Sequence, residues 1–140
     1  MSDQTITSLI EKLEQAEVGS RELDALVHVA VANDPNTYVV EPSAENIFSH
    51  KPGWYRTGND LSCLADPVTT SLDAALALAE RVGIRPYQAD ASIKGKWSWM
   101  VVDEARLGDL EANPYARATA ATPALALCAA ILRAQSEARV

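Results

Sequence analysis

Few side chains in this sequence can do chemistry. There are two histidines, His28 and His50, and two cysteines, Cys63 and Cys128. His28 follows Asp24 by one helical turn, a spacing at which two side chains can meet. Such a pair is how a general base is oriented. It is equally how a histidine at the edge of a core is satisfied by a neighbour, and this second reading is the ordinary one. His50 stands beside Lys51 and reads as an exposed loop residue. A thiol hydrolase would need Cys63 beside His28 or His50. The flanking Leu61, Ser62 and Leu64 offer nothing that activates a thiol. Zinc would need all four residues, and no pair of them has ligand spacing. Glycine-rich phosphate loops are absent. The sequence therefore assigns no catalytic residue, no metal ligand and no cofactor, and the protein is expected not to be an enzyme.

Residues suited to binding are better represented. Asp103, Glu104, Asp109 and Glu111 form an acidic run broken by Arg106. The alternation of a calcium loop is missing from it. It reads as a solvated loop or as an acidic contact for a basic partner. Trp54 and Tyr55 follow Pro52-Gly53 in a loop-rich stretch, where aromatic side chains either anchor partners or tether the loop. The candidate binding residues are thus Trp54, Tyr55, Asp103, Glu104, Asp109 and Glu111. Trp97 and Trp99 alternate with polar residues and are expected to cover a helix. Lys94 and Lys96 blunt an exposed turn between two strands.

The overall charge agrees. Net charge is -7 and the pI about 4.7. Binding to nucleic acid or an anionic membrane surface needs clustered Lys and Arg, so neither is expected. An acidic surface suits solubility, a basic partner, or mimicry of nucleic acid. No apolar run is long enough to span a bilayer. The polar stretch from Met1 to Thr7 is unlike a signal peptide, so a cytoplasmic protein with reduced thiols is expected.

Four helices must position these residues. Ile6, Leu9, Ile10, Leu13 and Ala16 recur at helical spacing, and Ser8-Leu9-Ile10-Glu11 has capping-box spacing, which predicts a helix near 7–17. Ser20 caps a second helix, near 21–32, with Leu23, Leu26, Val27, Ala30 and Val31 as its apolar stripe. Thr70-Ser71-Leu72-Asp73 opens a third, near 71–82, closed by Gly83. Asp24 and Asp73 read as first-turn acids facing the helix dipole. Thr122 caps the last helix, near 122–136, and Pro123 takes its first position. Nearly everything from Ala124 to Ala134 is small or apolar, so this helix must be buried, Cys128 included.

Between the last two helices lies a hairpin, 86–103. A three-residue loop, Ile93-Lys94-Gly95, pairs Ala91 with Trp97 and Ala89 with Trp99, placing large side chains opposite small ones. Gly95 then takes the left-handed position. Thr37 to Val40 suits a short strand, Tyr115 to Thr119 a third strand of the hairpin sheet, and Leu107 to Asn113 a loop. The fold class is α+β: an α/β/α sandwich with a small antiparallel sheet built around the hairpin. A single domain, 1–140, is expected. Residues 1–19 would be a helical extension and 33–68 a long irregular connection.

Ser20-Arg21-Glu22-Leu23-Asp24-Ala25-Leu26, Thr69-Thr70-Ser71-Leu72-Asp73-Ala74-Ala75 and Ala121-Thr122-Pro123-Ala124-Leu125, with the tryptophan hairpin between the last two, resemble the phage "ABA sandwich" domain family over about 20–136. The resemblance implies helices on both faces of a small sheet and a phage or proteobacterial prophage origin. It transfers no catalytic motif. The expected function is that of a non-catalytic phage or prophage accessory protein that binds a host protein or complex, for example an acidic, anti-CRISPR-like inhibitor of a host defence complex. A small-molecule or nucleotide sponge, with ligand held against residues 35–70, and a virion or assembly component are the alternatives. An apolar last helix is compatible with a homodimer.

Overall fold

The computed structural model describes residues 3–45, 51–91 and 94–138. His50 and the start of the hairpin loop at Ile93 lie outside the described residues. Four helices are present among them: α1 (Asp3–Gln15), α2 (Arg21–Ala32), α3 (Leu72–Arg81) and α4 (Pro123–Ala138). The strands are β1 (Tyr38–Val39), β2 (Trp54–Arg56), β3 (Ser62–Leu64), β4 (Ile84–Ala91), β5 (Trp97–Asp103) and β6 (Tyr115–Ala120). They form two antiparallel sheets, in the orders β1-β2-β3 and β4-β5-β6. The chain is therefore an α+β protein. None of its described helices is long and apolar enough to cross a membrane.

The helix starts obey local chemistry. Ser20, Ser71 and Thr122 each accept, through the side-chain oxygen, the backbone N–H three residues on, at 3.1, 3.2 and 3.2 Å. The first helix is the exception. It begins at Asp3, so Ser8 lies inside it and caps nothing. Burial decides this: Ile6, Leu9, Ile10 and Leu13 are all in the core, and helix must extend before Ile6 to hold that side chain there. The segment expected to be an extension is part of the body. It packs on α4 and β6, and Arg133 of α4 donates to Glu14 at 2.9 and 3.3 Å.

The hairpin register is the expected one, with Ala91 opposite Trp97 and Ala89 opposite Trp99. Gly95 is left-handed at φ 75°, as the turn requires. On β6, Ala120, Ala118 and Ala116 lie opposite Trp97, Trp99 and Val101, so one sheet face carries small side chains and α4 rests on it. Consecutive residues Ala124 to Leu132 are all buried, because α1, α2 and α3 cover the sides of α4 that the sheet does not. One residue leaves the strand ladder, and one tryptophan is less covered than expected. Tyr87 is extruded as a β-bulge between Pro86 and Gln88, and it is exposed, edge-on to Tyr115. Trp97 is 37% exposed, whereas Trp99 packs on the core.

Residues 33–68 hold the second sheet rather than an irregular connection. Its strands have two or three residues each, too few to show alternation in a sequence. It packs against α2.

Candidate functional site

The starts of α2 and α3 meet at Thr69. Its hydroxyl accepts the Ser20 N–H at 3.0 Å and donates to Asp24 Oδ1 at 2.5 Å, while its N–H donates to the same oxygen at 2.9 Å. Thr122 and Pro123, at the start of α4, border the same cavity as Gly19, Thr69 and Thr70. Gly19 makes the approach possible: a Cβ there would lie 2.1 Å from the Thr69 carbonyl oxygen. Asp24 is therefore no exposed dipole partner. It is fully buried, and Arg21 Nη1 donates to its second oxygen at 2.6 Å. The other arm of Arg21 donates to the Ala65 carbonyl, tying α2 to the approach to α3. A buried charge with this many donors holds elements together. Cys128 is nearby in effect: burial first, and then the Asp24 charge, push its thiol well above the ordinary value, and it donates to the Val68 carbonyl at 3.3 Å. It is an inert core residue.

His28 does not meet the Asp24 carboxylate. Its Nδ1 donates to the Asp24 backbone carbonyl at 2.8 Å, and its Nε2 accepts the Asp66 N–H at 3.4 Å. A carbonyl only accepts and an amide N–H only donates, so these partners select the neutral tautomer with the proton on Nδ1. The Asp66 carboxylate stands 3.7 Å from Nε2 and also takes an ion pair from Arg81 at 3.4 Å.

Trp54 and Tyr55 are neighbours on β2 and so point to opposite sides of the small sheet. Trp54 borders an open groove of about 660 Å³ with Arg21, Lys51, Leu64 and Pro67. Tyr55 turns towards the body, its ring 5.4 Å from that of His28. Burial, and then the Cys63 thiol paired opposite it on β3, raise the Tyr55 hydroxyl above its ordinary value, so it remains a neutral donor. The expectation of a single aromatic anchor thus divides into two different surfaces.

The acidic run also divides. Asp103 is buried and spends its carboxylate on the Ala105 N–H, capping a 3-10 turn at Glu104–Arg106. Glu104 lies 3.9 Å from Arg85. Asp109 folds back on the Glu111 N–H at 3.0 Å but stays exposed, as does Glu111. Between them, Leu110 is 100% exposed, and Leu107 is 47% exposed. Charge counting could not find Leu110, because an apolar residue in an acidic segment looks like the start of a core contact. Among the described residues no cluster of His, Cys, Asp or Glu has the makings of a metal site.

Fold and site define an α+β protein with a structural charged centre, two aromatic-lined depressions and an acidic loop that carries bare leucines. No family model matches this chain, and no curated protein and no solved structure matches it significantly.

Proposed function

We propose that this protein is a non-catalytic binding module, and that residues 104–113 dock onto a basic, partly apolar surface of a partner protein. The observation that carries the reading is Leu110, wholly exposed between the exposed carboxylates Asp109 and Glu111. An isolated exposed leucine is ordinary. Two of them on a short loop with a negative rim make an apolar anchor surrounded by charges that steer a basic partner. The chain's net charge of -7 supports the same steering. In the setting that the phage resemblance implies, the partner is a host macromolecule, and inhibition of a defence complex is the concrete form. The test is affinity capture from host lysate with the wild type, Leu110→Ser and Asp109→Asn/Glu111→Gln. A partner retained by the wild type and lost with both variants supports the reading. A partner retained equally by all three, or none at all, removes it.

The groove beside Trp54 favours a second reading, a nucleotide-binding protein. Trp54 offers a face for a base, and Lys51 offers charge for a phosphate. Absence of thermal stabilisation by any nucleotide in large excess counts against it.

A further inference from the structure

On the opposite side of β2 from that groove lies a smaller depression between α2, β2 and α3. Its volume is about 250 Å³, and His28, Val31, Tyr55, Thr57, Leu78 and Arg81 border it. Leu78 and His28 are buried, while Arg81 is 57% exposed, so the depression has a covered end and a charged mouth. Its size lies just below the range of about 300–1,000 Å³ usual for ligand pockets, which suits a small molecule. Apolar walls with a few convergent polar groups from separate elements are the usual composition of such pockets.

We propose that this depression binds a small monocarboxylate with an apolar body. Arg81 is the one charged side chain that borders it among the described residues. A planar guanidinium matches a carboxylate in two parallel hydrogen bonds, and one cation neutralises one anion. The protein already places a carboxylate on Arg81, that of Asp66 at 3.4 Å. Both members of that pair are more than half exposed, so it is weak and an incoming carboxylate can displace it. The Thr57 hydroxyl, which accepts the Leu61 N–H, supplies a further donor. Val31 and Leu78 contact the apolar body. His28, with both ring nitrogens already engaged, supports Tyr55 from beneath and leaves the ligand charge to Arg81. This site is independent of the loop at 104–113, so either can fail without the other.

Benzoate, benzamide and inorganic phosphate are suitable probes, titrated into the whole protein and followed by calorimetry and by the His28 ring proton signals. Benzoate is expected to bind in the millimolar range and to shift the His28 signals. Benzamide and phosphate are expected to bind far more weakly. Arg81→Gln, at an exposed position, should weaken benzoate by roughly twofold to fivefold, the effect of losing an exposed charge pair. Val31→Phe, which fills the depression, should abolish binding with the melting transition retained. Equal binding of benzamide, tighter binding of phosphate, unchanged affinity in Arg81→Gln, or no binding of benzoate at all would each overturn the proposal.

Discussion

Replacing Thr69 by valine tests the idea that one hydroxyl joins the start of α2 to the start of α3. Valine keeps the shape of the side chain and removes the oxygen that donates to Asp24 at 2.5 Å and accepts from Ser20 at 3.0 Å. A hydrogen bond to a charged group contributes about 1.5–3 kcal/mol net, and a donor left without its acceptor costs about 1–3 kcal/mol. Asp24 keeps the Thr69 N–H and Arg21, so its charge is not stranded. The expected loss is therefore about 3–4 kcal/mol, against a total stability of about 5–15 kcal/mol for a domain of ordinary size. Urea unfolding at neutral pH would measure it, with unchanged m-values as the sign that both end states are comparable. Thr69→Ser is the control. It keeps the hydroxyl, drops a methyl group and should cost about 1 kcal/mol. Serine more damaging than valine, or valine within about 0.5 kcal/mol of the wild type, would refute the argument and leave Thr69 as a packing residue. A second check is the coupling with Asp24→Asn. If the two side chains act as a pair, the double variant loses less than the sum of the single losses.

Other expectations follow from the same geometry. Gly19→Ala puts a Cβ 2.1 Å from the Thr69 carbonyl and should cost about 2–3 kcal/mol in urea unfolding, whereas Gly83→Ala, left-handed at φ 72° with open space around it, should cost about 1 kcal/mol. Cys128 stays protonated when folded but ionises near its ordinary value of 9.0 once unfolded, so its contribution is complete below that pH and declines above it. Relative to Cys128→Ala, wild-type stability should fall by up to about 1.4 kcal/mol per pH unit above that value, and parallel pH profiles would contradict this. Glu14→Gln loosens a half-exposed ion pair with Arg133 and should cost about 0.5–1 kcal/mol, a difference that disappears in molar salt.

Much of the framework was legible because its causes are local. A cap is one side-chain oxygen and one N–H three residues away, so Ser20, Ser71 and Thr122 identify their helices directly. The hairpin register followed from parity, since moving one residue would send Trp97 and Trp99 to the other face. The candidate site was less legible. Asp103 and Glu111 are identical to Asp109 in charge count, yet Asp103 is buried as a cap and the other two remain outside. Trp54 and Tyr55 are adjacent in sequence and serve different surfaces, a fact that follows only once β2 is known to be a strand.

The sequence alone determined the four helices, the tryptophan hairpin with its facing alanines, and the burial of the last helix, because capping, strand alternation and apolar composition act over a few residues. Only the tertiary structure decided that the starts of α2 and α3 join at Thr69 and that the Asp24 charge is buried at that junction. The bonds responsible join residues more than forty positions apart, from Ser20 and Asp24 to Thr69. It also decided that 33–68 forms a sheet, since strands this short are stable only where α2 supports them. No local pattern encodes a partner that distant in the chain, and there the packing of whole elements makes the choice.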